Sequence, residues 1–360
     1  MAVKYEYWFA NIKGVGNKEK YQIRSSIKCA EELYYMEEKG IRDIAGSDKH
    51  SKSILASIRN WKLNEQYELL EKKGVRFVTR INSEYPKRLS EIPASPYALY
   101  VKGKLPLEDT ISVAIVGARQ CSAYGEYMAR TFAETLSEAG IQIISGMARG
   151  IDGISQRAAV QAGGSSFAVL GCGVDICYPR ENFNLYQDLQ MKGGILSEQP
   201  IGMQPQKTFF PARNRIISGL ADVVLIMEAK EESGSLITAD MALEQGKDIY
   251  ALPGNVTSWL SQGCNRLIKQ GAGILLSPEE LLKDLGIFHN KKTENPLENK
   301  IVLESTEKLV YSCLDFEPRS LNQLLEKTKL QISTLLDYLV KLQLKGYVRE
   351  VSKNYYVKVK

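Results

Sequence analysis

Apolar positions along the chain fall into three regimes. Between residues 25 and 71 they recur at helical spacing, as Ile27, Leu33 and Met36 and then Ile54, Ile58 and Trp61, with short polar breaks between. A mostly helical amino-terminal segment is predicted. No β-like run precedes residues 75–78. From there the pattern changes to short, almost continuously apolar runs at 111–116 (ISVAIV), 141–145 (IQIIS), 167–170 (FAVL), 194–196 (GIL), 223–227 (VVLIM) and 249–252 (IYAL), most of them separated by amphipathic helical stretches. Strands that are apolar on both faces and end in glycine or polar residues suit a parallel sheet covered on both sides. The prediction is an α/β domain with a Rossmann-like, doubly wound, mostly parallel sheet, whose ligands would lie at the carboxyl ends of the strands.

The third regime follows a polar stretch, HNKKTENPLENK at 289–300, which has a proline and few apolar groups and is predicted to be a linker. Beyond it come helical patterns at 307–314, 321–327 and 332–345, then two β runs around Ser352-Lys353-Asn354. Three helices and a hairpin make a winged helix. The expected division is therefore a helical domain over 1–75, the Rossmann-like domain over 76–288, the linker over 289–300 and the winged helix over 301–360. A length of 360 residues accords with two or three cores.

Composition narrows the function mainly by exclusion. With 47 basic against 42 acidic side chains, any nucleic-acid site must be a local patch rather than a global charge. Six cysteines without a CxxC pair suggest thiols rather than disulfides or zinc, and hence a cytoplasmic protein. Neither a leader with a cleavage site nor a membrane-length apolar run is seen, so no membrane association is expected. Only two histidines exist, His50 and His289, both in polar text far from any glycine-rich loop and both expected on the surface. Histidine-based metal sites and histidine-activated nucleophiles are thereby disfavoured, and no metal, cofactor or catalytic residue is assigned.

Candidate chemistry gathers where the strands end. VAIVGAR at 113–119 runs from a strand into a glycine turn before a helix, a junction whose free amides face an anion. It lacks the full dinucleotide fingerprint, because the glycine after Gly117 is Gly125, but Arg119 supplies a fork suited to phosphate. SGMARGID at 145–152 brings Ser145, Gly146 and Arg149 to the next strand end, with Asp152 read as a helix-start residue. KTFFPARNR at 207–215 carries Lys207, Phe210, Arg213, Asn214 and Arg215 without an acid until Asp222. That mixture suits single-stranded nucleic acid: cations track the phosphates, and an aromatic face stacks a base for about 1–3 kcal/mol whatever its sequence. Glu232-Ser233-Gly234-Ser235 opens a further helix at the same edge, and Gly234 and Ser235 are assigned to the pocket. Near the amino terminus, Gly14-Val15-Gly16-Asn17 has the form of a helix-hairpin-helix turn, which either meets a phosphate or is a plain interhelical turn.

Taken together, VAIVGAR, SGMARGID, AVLGCGVDICYP at 168–179, LSEQP at 196–200, FPARNR at 210–215, SGSLITA at 233–239 and LPGN at 252–255 make the chain resemble the DNA-processing protein A (DprA/Smf) family. The resemblance implies a Rossmann-like fold, a homodimer through that domain, a SAM-like module in front and a winged helix behind. It also implies sequence-independent binding of single-stranded DNA, protection of incoming DNA and loading of the RecA recombinase during natural transformation and homologous recombination. The family's DNA contacts fall on Arg119, Lys207, Phe210, Arg213, Asn214 and Arg215, and its pocket motifs on Gly117, Ser145, Gly146 and Arg149. One position departs from the family pattern: Ser155-Gln156 stand where an alanine-histidine pair is usual.

Two other readings compete. A nucleoside-monophosphate hydrolase of LOG-like type would need an acid beside the Ser-Gly-Ser loop, where only Asp240 is available, one turn into the helix and expected to face outward. A nucleotide-sensing transcription regulator would need a groove-reading helix. The helix at 332–345 carries Lys341 and Lys345 but also Asp337, and its Leu335, Leu336, Leu339, Val340 and Leu342 are expected in the core, which suits a docking or stabilising role better.

Overall fold

The computed structural model describes residues 2–287 and 303–359; the expected linker at 289–300, and His289 with it, lie outside the described residues. Six helices lead: α1 (Ala2–Ala10), α2 (Asn17–Ser25), α3 (Ala30–Tyr34), α4 (Glu38–Ile44), α5 (Asp48–Asn60) and α6 (Leu63–Lys72). Their apolar faces do not close on one another alone. Tyr7, Trp8, Phe9, Ile23, Leu33 and Ile54 share one continuous core with Phe77, Tyr100, Ala168, Leu185 and Ile195 of the segment that follows. The amino-terminal helices are thus packed onto a face of the sheet, where burial of aromatic area contributes most.

That sheet has nine strands in the order β1-β2-β6-β5-β4-β3-β7-β8-β9. They are β1 (Arg76–Thr79), β2 (Ala98–Gly103), β3 (Ser112–Val116), β4 (Gln142–Ser145), β5 (Ser166–Val169), β6 (Gly194–Ser197), β7 (Val223–Ile226), β8 (Asp248–Ala251) and β9 (Gly273–Ile274). From β6 through β9 every pairing is parallel; β2 joins β1 and β6 antiparallel. The periodicity expectation did not include β2 or β9. β9 is only two residues long, too short to produce a pattern, and β2 extends the sheet antiparallel, outside the alternating strand-helix repeat.

Connecting helices α7 (Lys87–Ser90), α8 (Ala123–Glu138), α9 (Ile151–Gln161), α10 (Phe183–Lys192), α11 (Phe209–Leu220), α12 (Gly234–Glu244), α13 (Gln262–Lys269) and α14 (Pro278–Asp284) cover both faces. Strand order reverses between β3 and β7, whose registers run Val113 to Val223 and Val116 to Ile226. A crevice opens at such a switch point beyond the carboxyl ends of the strands.

The last unit is a winged helix of α15 (Ser305–Ser312), β10 (Arg319–Ser320), α16 (Leu321–Thr328), α17 (Ile332–Leu344), β11 (Val348–Ser352) and β12 (Tyr355–Lys358), with its own core around Val310, Leu324, Leu335, Leu339 and Leu342. The wing turns at Asn354, with φ of 63°, a left-handed position that asparagine tolerates. Leu336 and Val340 depart from expectation: the first is half-buried and the second exposed, because they lie to one side of the helical stripe Leu335-Leu339-Leu342 that faces the core. Phe316 packs 4.9 Å from the Tyr127 ring on α8, and Arg349 pairs with Glu126 at 3.1 Å. Among the described residues no helix is long and apolar enough to cross a membrane.

Candidate nucleic-acid interface

The turn after β3 is shaped by what surrounds Gly117. A Cβ there would stand 2.7 Å from Ile151 Cγ1 and 3.1 Å from the Glu228 nitrogen, so only hydrogen fits. The chain then passes Arg119, which is exposed, and enters α8 at its cap, Ser122, whose hydroxyl accepts the Gly125 N–H. Glu228, just past β7, fills the space in front of that helix. Its buried carboxylate accepts the Ser122 N–H at 2.9 Å and the Ser122 hydroxyl at 2.5 Å. Burial pushes the Glu228 carboxyl above its ordinary range, opposed by these two bonds. The anion that α8 attracts is therefore a side chain of the protein itself. Sequence reasoning missed Glu228, although a signal existed: VVLIME sets a carboxylate directly at the end of an apolar strand beside the switch point.

The second turn, after β4, is braced from three directions. Met147 adopts a left-handed φ of 52°, and Gly150, at 68°, passes so close to α8's approach that a Cβ would lie 2.3 Å from the Ala118 oxygen. Asp152 accepts the Gly146 N–H at 3.2 Å, so it serves the preceding turn. Burial raises its pKa, opposed first by the nearby Arg213 charge. Gln156, at the position where the resembled family has histidine, is fully buried, accepts the Met147 N–H at 2.9 Å and donates to the Ser166 hydroxyl. Its role here is structural.

The predicted DNA residues separate into two groups. Arg213 is 7% exposed, and its guanidinium donates to the Gly146 carbonyl at 2.7 Å and to the Val169 carbonyl. It ties the ends of β4 and β5 to α11: where the sequence reading placed it over phosphate, burial and two backbone acceptors commit it internally in this structure. Gly146 is required because a Cβ would fall 2.2 Å from that guanidinium. Arg215 is likewise committed: its Nη2 donates to both Glu198 carboxylate oxygens at 2.9 and 2.7 Å, its Nη1 to the Ala212 carbonyl and its Nε to the Ala94 carbonyl. Glu198 also takes the Asn17 amide at 2.6 Å, so the glycine turn ahead of α2 docks against an internal carboxylate. Asn214 accepts from Arg213 Nε at 3.1 Å and reaches the Gly234 carbonyl at 3.4 Å. Ser145, expected in the pocket, is fully buried, and its hydroxyl donates to the Ile115 carbonyl at 2.6 Å. Ser235 is buried with its hydroxyl on Ser233 at 2.7 Å, leaving Gly234 exposed at the start of α12.

The outward group is Arg119, Lys207, Phe210 and Arg149. The Arg119 guanidinium carbon stands 5.7 Å from the Phe210 ring centre. Phe210 is half-buried, seated on Gly171, where a Cβ would approach its ring edge to 2.9 Å. Tyr178, which sequence reasoning did not single out, lies 5.5 Å from Phe210 at 34°. Phe209 is also half-buried, so neither phenylalanine is a full core residue. Lys207 is exposed in the loop before α11. Arg149 is exposed and pairs with the exposed Glu181, a solvent-screened contact readily exchanged for another anion. Among the described residues no cluster of histidine, cysteine, aspartate or glutamate is arranged to hold a metal. All six cysteines are free thiols, with Cys172 and Cys264 buried. Asp240 is exposed on α12.

Fold and site together define a Rossmann-type protein whose sheet edge presents cations beside aromatic rings while its helix-end anion seat is filled from within. The chain belongs to the DNA recombination-mediator protein A family, whose pattern matches residues 76–286; the DprA winged helix domain matches residues 294–352. Protein Smf of Synechocystis is 31% identical over 96% of both chains. Protein Smf of Escherichia coli is 45% identical over 60% of this chain and 58% of its own length, and DNA processing protein DprA of Streptococcus pneumoniae is 44% identical over 56% of this chain and 71% of its own. The X-ray structure of the S. pneumoniae protein aligns with a TM-score of 0.70 at 34% identity, over 78% of this chain and 97% of that one. DNA processing protein A from Helicobacter pylori, described for its single-stranded DNA binding mode, aligns at 0.55 and 32%, over 60% and 99%.

Proposed function

We propose that this protein binds single-stranded DNA without sequence preference along the carboxyl edge of its sheet, and that it acts by binding rather than by turnover. Arg119, Lys207 and Arg149 meet phosphates while Phe210 stacks a base; Arg213, Asn214 and Arg215 hold the turns that carry them. The observation that carries this reading is the exposed Arg119 with its guanidinium carbon 5.7 Å from the centre of the half-buried Phe210 ring, one cation and one ring within a single nucleotide's reach. The occupied seat at α8 weighs against a nucleotide phosphate there, since a second anion would meet the Glu228 carboxylate. The single-stranded DNA binding mode described for the H. pylori relative supports the same choice of ligand.

On this reading the protein is a cytoplasmic homodimer that needs no cofactor, protects incoming DNA and delivers it to the RecA recombinase during natural transformation and homologous recombination. The family's description as a recombination mediator supports that role. Pairing two grooves through the Rossmann domain would raise affinity by avidity. The test is fluorescence anisotropy of a labelled oligothymidine and its duplex over a salt series, with wild type, Arg119→Ala and Phe210→Ala. Preference for the single strand, weakened by both substitutions, supports the proposal. Duplex preference, or substitutions without effect, overturns it.

A further inference from the structure

The winged helix carries an apolar row of which only Leu336 also packs against its own core. Along α17, Ile332, Leu336, Val340 and Leu344 recur every four residues, so they form one continuous ridge on a single side of the helix. Ile332 is 55% exposed, Val340 52% and Leu344 84%, with Leu336 half-buried between them. The neighbouring row toward solvent reads Ser333, Asp337, Lys341, Lys345. This helix occupies the position that reads a DNA groove in other winged helices, yet its ridge is aliphatic and Asp337 would face phosphate there.

The order of these residues is self-complementary. We infer that α17 is a self-association surface, on which the same helix of a second copy of this chain packs antiparallel. A two-fold axis centred between Leu336 and Val340 places Ile332 against the second copy's Leu344 and Leu336 against its Val340, each contact occurring twice. In an antiparallel pair related by such an axis, the same flanking row faces itself in reverse. Asp337 then meets the opposing Lys341, again twice, and Ser333 meets Lys345, which is already paired with Glu307 at 2.7 Å. No like charges are brought together across the row. In a parallel pair this row would instead face the other flank of the opposing helix, so the reciprocal Asp337–Lys341 contacts are particular to the antiparallel arrangement. This contact is separate from the pairing of Rossmann domains proposed above and would link or close assemblies built on it.

The test is sedimentation equilibrium of the full chain over a wide concentration range, comparing wild type with Val340→Asp, Asp337→Lys, Lys341→Asp and the Asp337→Lys/Lys341→Asp double variant. All these positions are at the surface, and thermal melts confirm that each variant folds. Val340→Asp is expected to weaken one association step about tenfold or more, because it buries a charge in the ridge. Each single charge reversal should weaken the same step, and the double reversal should restore it, a recovery that a merely structural role would not produce. Unchanged association in Val340→Asp overturns the proposal. So does a loss of duplex DNA binding in that variant with association intact, which would assign the ridge to DNA.

Discussion

The Arg213 guanidinium donates to the Gly146 carbonyl at 2.7 Å from inside the protein, whereas Arg119, on the adjacent turn, points outward over Phe210. Two arginines in the same motif set therefore do different work. Salt dependence separates them, because only a residue that displaces counterions from phosphate changes its slope. Arg119→Ala is expected to weaken oligothymidine binding and to lower the slope of log K against log salt by about 0.7 for each phosphate that is no longer neutralised. Arg213→Ala should also weaken binding, but through reduced fold stability and with the slope intact. Anisotropy titrations at several salt concentrations, beside denaturant melts, check both.

Phe210 supplies a ring face and no charge. Phe210→Ala is expected to cost about 1–3 kcal/mol of oligothymidine binding at every salt concentration, leaving the slope unchanged. Phe210→Trp should retain most of the affinity, since a larger ring offers the same face. Parallel titrations of the two variants distinguish loss of stacking from general disruption of the site.

Glu228 occupies the amino end of α8, so its removal leaves the partly buried Ser122 N–H and hydroxyl without their acceptor. Glu228→Ala should destabilise the protein by about 1–3 kcal/mol, the ordinary cost of an unsatisfied buried group. Gly125→Ala tests the same packing from the other side, because its Cβ would lie 2.4 Å from the Glu228 carboxylate. Urea unfolding followed by circular dichroism measures both.

Lys20 is buried and donates to the Ala10 carbonyl, and burial pulls its pKa from the ordinary 10.5 down to about 8, opposed by the Glu198 charge. A lysine with a depressed folded pKa binds its proton more weakly when folded than when unfolded. Stability must then rise as pH climbs from about 8 to about 10.5 and be flat below that window. The full rise corresponds to about 3 kcal/mol. Lys20→Met should flatten this profile and stabilise the neutral-pH protein, read as melting temperature against pH.

Much of the interface was legible because strand ends are legible. Apolar runs ending in glycine located β3, β4 and β5, one ending in a carboxylate located β7, and the switch-point rule brought Gly117, Arg119, Gly146 and Arg149 to one edge from the chain pattern alone. The burial of Arg213 also had a signal: it shares helical phase with Ile216, Ile217 and Leu220, the buried side of α11. Arg215 had none, since its partner Glu198 is 17 residues away, past β6.

By itself the sequence determined the fold class, the winged helix and the collection of cations and aromatics at the ends of parallel strands, because periodicity and turn chemistry are local properties of the chain. Only the tertiary structure decided which of those residues face outward. Arg119 and Lys207 are exposed, whereas Arg213 and Arg215 are committed to Gly146, Val169 and Glu198, and the end of α8 is filled by Glu228. The physical reason is that a charge's role depends on the acceptors packed around it, and those acceptors come from elements distant in sequence.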